Sequence, residues 1–258
     1  MSDHAVRLYV LDTGVIECAD YAMFSPSAGP RVRYDLPVRS YVVVHPRGTL
    51  VWDTGIDDAI AAEPDGRDIV DSIVFKVPKT MRRQLEEIAL DPDAVDYLAL
   101  SHLHPDHVGN LDLFPNASVL LQRAEHDAGF GPDAEELTLM PEFYAALDRD
   151  DVTTVEGDHD VFGDRSVMLE ALPGHTPGHQ GLLLRLRDAG PILLAGDVSY
   201  SSRDYADGAV RSANVDLEQS ARSIEKAKAL EREIGAAVWL HHDRDAQRDI
   251  RAAPEFYE

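Results

Sequence analysis

A single α+β domain is what the 258-residue sequence predicts. Three observations point there. Apolar runs of strand length recur along the chain, two stretches carry helical spacing, and no linker divides them. Residues 1–258 therefore read as one domain. "YVVVH" (41–45) and "TLVWDTG" (49–55) flank "PRG", which reads as a hairpin turn. Segment 56–79 has weak periodicity and reads as a flexible loop over a site. "TMRRQLEEIAL" (80–90) has helical spacing, with Met81, Leu85 and Ile88 on one face. "AVDYLALSHLH" (94–104) reads as an apolar strand running into histidines, and "SVLLQ" (118–122) as a short strand. "SVMLEALPGHTPGHQ" (166–180) starts as a strand and ends in turns; strands "GLLLRLR" (181–187) and "PILLAGD" (191–197) follow. Residues 217–235 form an amphipathic helix stopped by Gly235, and "AAVWLHHD" (236–243) is a last strand. Strand after strand ends in His or Asp followed by a polar or Gly/Pro-rich loop. Strand ends on a rigid sheet are good places to hold a site.

Composition excludes several functions. Net charge is −23, from 47 acidic and 24 basic residues, so nucleic acid and anionic membrane are repelled. No apolar run nears the roughly 18 residues of a membrane span. The N-terminus lacks a basic region followed by an apolar run, so a cytoplasmic location is expected. Cys18 is the only cysteine, which leaves no internal disulfide and no cysteine-based metal cluster. It is expected to be a buried small side chain.

The chemistry concentrates in "SHLHPDHVGN" (101–110). On a strand, the spacing of His102 and His104 puts both imidazoles on one side. His107 follows where the chain turns into a helix, and Asp106 adds an oxygen donor beside it. Imidazole with carboxylate suits zinc, manganese, iron or cobalt. Four ligands in one loop cannot serve two metals, and later strand ends offer more. These are His175 in "LPGHTPGH", Asp197 in "LLAGD", and His242 in "WLHHD", with His241 as its rival.

The set His102, His104, Asp106 and His107 resembles the signature of the metallo-β-lactamase superfamily, with His175 and Asp197 at its next two metal positions. Asp53 in "WDTG" resembles the aspartate that orients a ligand histidine there. "LPV" (36–38), "DTG" (53–55), "SHLHPDH" (101–107), "PGHTPGHQ" (173–180), "DVSY" (197–200) and "HDRDAQ" (242–247) are similar to segments of the N-acyl-homoserine lactonase subgroup. The resemblance implies an αββα sandwich of two mixed β-sheets flanked by helices. It implies two divalent metal ions, zinc first, with cobalt, manganese or iron as alternatives. One takes His102, His104 and His175; the other takes Asp106, His107 and His242; Asp197 bridges them together with a water or hydroxide. His242 is preferred to His241 because the family pattern has His directly before Asp. Alternation along a strand agrees, since only one of two neighbours can face the site. His179 has a supporting place in the same turn. His4, His45, His126 and His159 are expected in solvent, away from the site.

The activity implied is opening of lactone rings, N-acyl-homoserine lactones first, and thus quorum quenching. Tyr200 resembles the tyrosine that hydrogen-bonds the substrate near its carbonyl. Asp106 is placed to carry the proton to the leaving oxygen. The partner implied is a small lactone; nucleic acid and membrane are not, and a homodimer is compatible. The alternative is a related metallo-hydrolase of another small lactone, a thioester as in glyoxalase II, or an organophosphate. A non-enzymatic metal-binding protein is a third reading, against which all seven ligand candidates stand. Cys18 lies far from every motif and cannot be the cysteine ligand of true β-lactamases. Pro105 departs from the subgroup, many members of which carry an aromatic residue there at the edge of the substrate pocket. Met23, Phe24, Ile73 and Phe75 are candidate pocket walls.

Overall fold

Most of the apolar runs become strands that are covered on both faces. The structure is a computed structural model that describes residues 5–70, 73–147 and 152–258. The first sheet is formed by β1 (Arg7–Cys18), β2 (Tyr34–His45), β3 (Gly48–Trp52), β4 (Arg67–Val70), β5 (Ile73–Lys76), β6 (Tyr97–Ala99), β7 (Ser118–Gln122) and β8 (Val152–Val155). The second contains β9 (His159–Asp160), β10 (Val167–Ala171), β11 (Gln180–Leu186), β12 (Gly190–Leu194) and β13 (Ala237–Trp239). A last strand, β14 (Phe256–Tyr257), adds to the first sheet beside β1.

The first sheet runs β4-β5-β1-β2-β3-β6-β7-β8, and the second β13-β12-β11-β10-β9. Both are mixed. The pairs β3·β6, β6·β7 and β7·β8 are parallel in the first, and β12·β13 is parallel in the second.

Alternation sorts the side chains into layers. Leu8, Val10, Tyr41, Val43, Leu50 and Trp52 of the first sheet pack on Leu169, Leu182, Leu184, Ile192 and Leu194 of the second. The intervening residues Val42, Val51, Leu98, Val119 and Leu121 face outward, against Met81 and Leu85 of helix α1 (Met81–Glu87). Helix α2 (Pro105–Val108) adds Val108, and Tyr144 comes from a later helix. On the far side Leu183 and Leu193 meet Ile224 and Ala227. The result is the expected αββα sandwich. Both faces of each central strand are apolar, which is why the strands read as unbroken hydrophobic runs. Each such side chain contributes about 1.5–3 kcal/mol on burial.

Three expectations need correction. Segment 56–79 is not a plain loop: it holds β4 and β5, and β5 pairs antiparallel with β1. Asp71 and Ser72, between those strands, lie outside the described residues, as does His4. His45 is not in solvent. It is buried, stacked on Phe162 at 4.0 Å between ring centroids and 3.0 Å from Asp164 Oδ2. The helix expected over 80–90 ends at Glu87. Cys18 is buried as expected. Among the described residues no helix is long and apolar enough to cross a membrane.

The remaining helices of the first half are α3 (Arg123–Gly129) and α4 (Pro141–Tyr144). The second half adds α5 (Ser202–Asp207) and α6 (Leu217–Ile234). Helix α6 starts at Asp216, whose side chain accepts the Gln219 N–H, and stops at Gly235 with φ of 69°. The chain just beyond β3, β6, β12 and β13 gathers at one rim of the sandwich, and there the chemistry sits.

Candidate metal centre

The strand expected to carry His102 and His104 ends earlier, at Ala99. Beyond it Asp53, just past β3, takes the backbone: its Oδ1 accepts the Ser101 N–H at 2.6 Å. His104 has an extended ψ of 152°, as a residue before proline should. Pro105 then opens α2 at its first position, where a proline costs no hydrogen bond. That tight turn brings Asp106 and His107 back beside His102. Alternation along a strand therefore does not hold the two histidines together; the turn at Pro105 does.

The same correction applies at the other end. β13 stops at Trp239, so His241 and His242 lie in a turn and both rings reach the cluster. His242 Nε2 lies 3.3 Å from Asp106 Oδ2 and 3.4 Å from Asp197 Oδ2. His241 instead lies along His107, at 4.3 Å between ring centroids, with its Nε2 3.5 Å from the Arg39 N–H nitrogen. Strand alternation does not separate the two; the direction of Nε2 favours His242.

All seven candidates converge. Hydrogen bonds on the outer nitrogens set the tautomers. His107 Nδ1–H donates to Asp53 Oδ2 at 2.8 Å, and His242 Nδ1–H to the Pro37 carbonyl at 2.9 Å. His175 Nδ1–H donates to Asn214 Oδ1 at 3.1 Å. His102 Nδ1–H donates to Ser101 Oγ at 2.9 Å, whose hydroxyl donates on to Asp53 Oδ2. His104 is turned the other way, its Nε2 3.3 Å from Thr138 Oγ1. Bare lone pairs are left facing inward. His104 Nδ1 is 2.9 Å from His102 Nε2 and 3.1 Å from His175 Nε2. Three acceptors so close, with their protons engaged elsewhere, repel one another unless a cation lies among them. Zinc–nitrogen bonds of about 2.0–2.1 Å fit that spacing.

The second cluster has the same need. Among the described residues, buried His107 Nε2 and Asp197 Oδ1 find no hydrogen-bond partner. They lie 3.4 Å apart, and His107 Nε2 is 3.3 Å from Asp106 Oδ2. The Asp197 carboxylate lies between the two clusters, its Oδ2 also 3.6 Å from His175 Nε2. The donor set therefore fits two divalent cations.

Electrostatics divides the histidines accordingly. Burial, helped by the neighbouring imidazoles, holds His102 and His175 well below the usual histidine range. Burial brings His104 to about 4 despite Asp106. Burial opposes charge at His107 and His242 as well, but carboxylates outweigh it. Asp106, Asp53 and Asp197 hold His107 well up, and Asp197 with Asp106 raises His242 to about 9. Against the same desolvation, those imidazoles keep Asp106 and Asp197 well below the ordinary carboxylate range. Metal binding requires such imidazoles to give up their protons.

Several supporting residues hold these ligands in place. Asp53 is fully buried with φ of 55°, a strained conformation costing about 1–3 kcal/mol. His179 receives the Asp197 backbone N–H on Nε2 at 3.0 Å and donates from Nδ1 to the Leu172 carbonyl at 2.9 Å. Gly196 leaves room for it: with φ of 55°, an added Cβ would stand 2.6 Å from that Nε2. Glu125, on α3, was not foreseen. Its buried carboxylate accepts the Leu103 N–H at 3.0 Å and the Gly178 N–H at 2.8 Å, tying the two histidine loops together. Ser101, Asn214 and Thr138 were likewise not foreseen. Each could be found only by knowing which histidine nitrogen needs a partner.

A cavity of about 280 Å³ opens on the cluster. Met23, Phe24, Ile73 and Phe75 line it as expected, with Ile16, Ile69 and Pro105. Tyr200 is buried at its base, stacked on His242 at 5.2 Å, and donates its phenol proton to Asp197 Oδ2 at 2.6 Å. Burial and the adjacent carboxylate push that phenol well above its usual range, so it stays a donor. Arg211 shares the cavity wall, and no motif announced it. Of the histidines set aside, His126 lies by Asp127 and His159 is in β9, both outside the cluster.

Two facing mixed sheets between helices, with a His/Asp cluster at one shared rim, define a metal-binding αββα sandwich. The family model described as the metallo-β-lactamase superfamily matches residues 33–235, and the chain belongs to that superfamily. The N-acyl homoserine lactonase AttM of Azorhizobium caulinodans is 31% identical over 98% of this chain and 99% of its own. The N-acyl homoserine lactonase AiiA of Bacillus thuringiensis subsp. kurstaki is 28% identical, covering 97% and 98%. Among solved structures, an N-acyl homoserine lactone hydrolase with the product N-hexanoyl-L-homoserine bound at its catalytic metal centre superposes with a TM-score of 0.84. It is 27% identical and covers 98% of this chain and 99% of that one.

Proposed function

We propose that this chain is a dinuclear-metal hydrolase that opens lactone rings, N-acyl-homoserine lactones first. The carrying observation is the meeting of unprotonated His102, His104 and His175 nitrogens beside a second cluster with an orphan imidazole nitrogen and carboxylate oxygen. Similarity to lactonases along nearly the whole chain supports the substrate class. In this reading His102, His104 and His175 hold one ion, Asp106, His107 and His242 the other, and Asp197 serves both. Zinc is the first choice, with cobalt, manganese and iron accepted by the same donors. Residues 1–258 act as one domain, because ligands come from both sheets, and the −23 charge suits neither anionic membrane nor nucleic acid.

Divalent ions bound there supply a water acidic enough to attack near neutral pH, and Lewis acidity for the ring carbonyl. The chain's own groups do the rest. The Tyr200 phenol turns from Asp197 to the substrate carbonyl oxygen and donates to it as negative charge develops. The acyl C–O bond of the ring breaks. Asp106 takes a proton from the attacking water and delivers it to the departing ring oxygen. The second proton leaves when the new acid ionises, so each turnover releases one proton. Ile16, Phe24, Ile73 and Phe75 keep water from the acyl arm.

A pH-indicator assay over a panel of lactones, a thioester and a phosphotriester tests this. Acylated homoserine lactones should turn over, and removing metal with a chelator should stop the reaction until a divalent ion is restored. Turnover of the thioester or phosphotriester with none of any lactone would overturn the reading.

A further inference from the structure

We propose that Arg211 is a specificity-determining residue that recognises a neutral carbonyl acceptor on the substituent beside the lactone ring. This rests on the lactonase reading. The guanidinium is fixed from several directions. Its Nε–H donates to the Met23 carbonyl at 2.7 Å, and a terminal nitrogen lies 3.4 Å from the Tyr200 hydroxyl. Its central carbon sits 4.8 Å from the Phe24 ring centroid and 5.3 Å from that of Tyr200. The wall behind it is itself tied down. Asp204 accepts from the Ser25 hydroxyl, from the Ser27 N–H at 3.1 Å and from the Ser201 hydroxyl at 2.8 Å. The Tyr21 hydroxyl donates to the Tyr200 carbonyl at 2.9 Å. A donor held this firmly loses little entropy on binding.

A guanidinium has five N–H donors, and these contacts engage two. Arg211 lines the cavity, which puts the guanidinium within reach of a ligand there. Among the described residues no carboxylate lies within 4.0 Å to neutralise it. The position selects what it meets. The Tyr200 phenol is the group next to Asp197, and Arg211 is the group next to Tyr200. With the ring carbonyl at Tyr200, the neighbouring substituent is within reach of Arg211, whose terminal nitrogen is 3.4 Å from the Tyr200 hydroxyl. An acylamino group places a carbonyl there; an alkyl group places none. The −23 charge of the chain opposes the approach of an anionic substrate, so the acceptor is neutral.

The test compares kcat/KM for N-hexanoyl-homoserine lactone and for an α-alkyl-γ-butyrolactone of matched length, in the metal-loaded wild type, Arg211→Ala and Arg211→Lys. A charged hydrogen bond to a carbonyl predicts that the preference for the acylamino lactone falls roughly 10–100-fold in Arg211→Ala. Arg211→Lys should restore part of it, and the change should lie mainly in KM. Because the ratio is taken within one protein, a loss of folded enzyme cancels. A ratio in Arg211→Ala like that of the wild type overturns the assignment. If the wild type opens neither lactone, the lactonase reading itself fails, which is a different result.

Discussion

Asp197→Asn lowers kcat by more than the roughly 10–100-fold typical of losing a residue that only orients a ligand. The substitution keeps the shape and removes one negative charge from the point between the two clusters. Asp197 lies 3.4 Å from His107 Nε2 and from His242 Nε2, and 3.6 Å from His175 Nε2, so no other carboxylate substitutes for it. Metal content should drop with activity, because the amide keeps one oxygen, replaces the other with an NH2 that is no donor to a cation, and carries no negative charge. Steady-state kinetics and metal analysis on the same sample check this. An Asp197→Asn protein with wild-type kcat and full metal content would show that the carboxylate does not serve both ions.

Tyr200→Phe separates chemistry from metal binding. The phenol is the donor that burial and Asp197 keep protonated, and His242 stacking holds its ring. Removing one such donor from a developing oxyanion costs about 10²–10³ in kcat. The metal content of Tyr200→Phe should equal that of the wild type, since all seven ligand candidates remain. A kcat within a few-fold of wild type would make Tyr200 a packing residue against Phe24, 5.2 Å away between ring centroids.

The central strands were legible because both faces are buried, so "YVVVH" and "SVLLQ" are apolar without alternation. β1 was missed although it is twelve residues long. Its run is broken by "DTG" at 12–14, where the register on β2 shifts between Asp12 and Gly14. β4 and β5 escaped because their faces are half-exposed and short. His45 read as a surface residue because the partners that bury it, Phe162 and Asp164, are far along the chain.

In the site, the ligand candidates were legible because metal chemistry demands particular residues at particular spacings. What holds them was not. Glu125 reaches Gly178 across 53 positions, Asn214 reaches His175 across 39, and Arg211 reaches Met23 across 188. Such pairs are set by the fold and leave no local pattern. The strand-alternation argument at His102/His104 and at His241/His242 failed for one reason: both strands end before the histidines, and turn geometry decides what the rings face.

The central claim is that His102, His104, Asp106, His107, His175, Asp197 and His242 hold two divalent ions. Elemental analysis of the untreated protein, repeated after chelation and reloading, tests it most directly. Two divalent ions per chain should be found, zinc foremost, and reloading should restore two. One ion or none per chain after saturation with metal would contradict the claim.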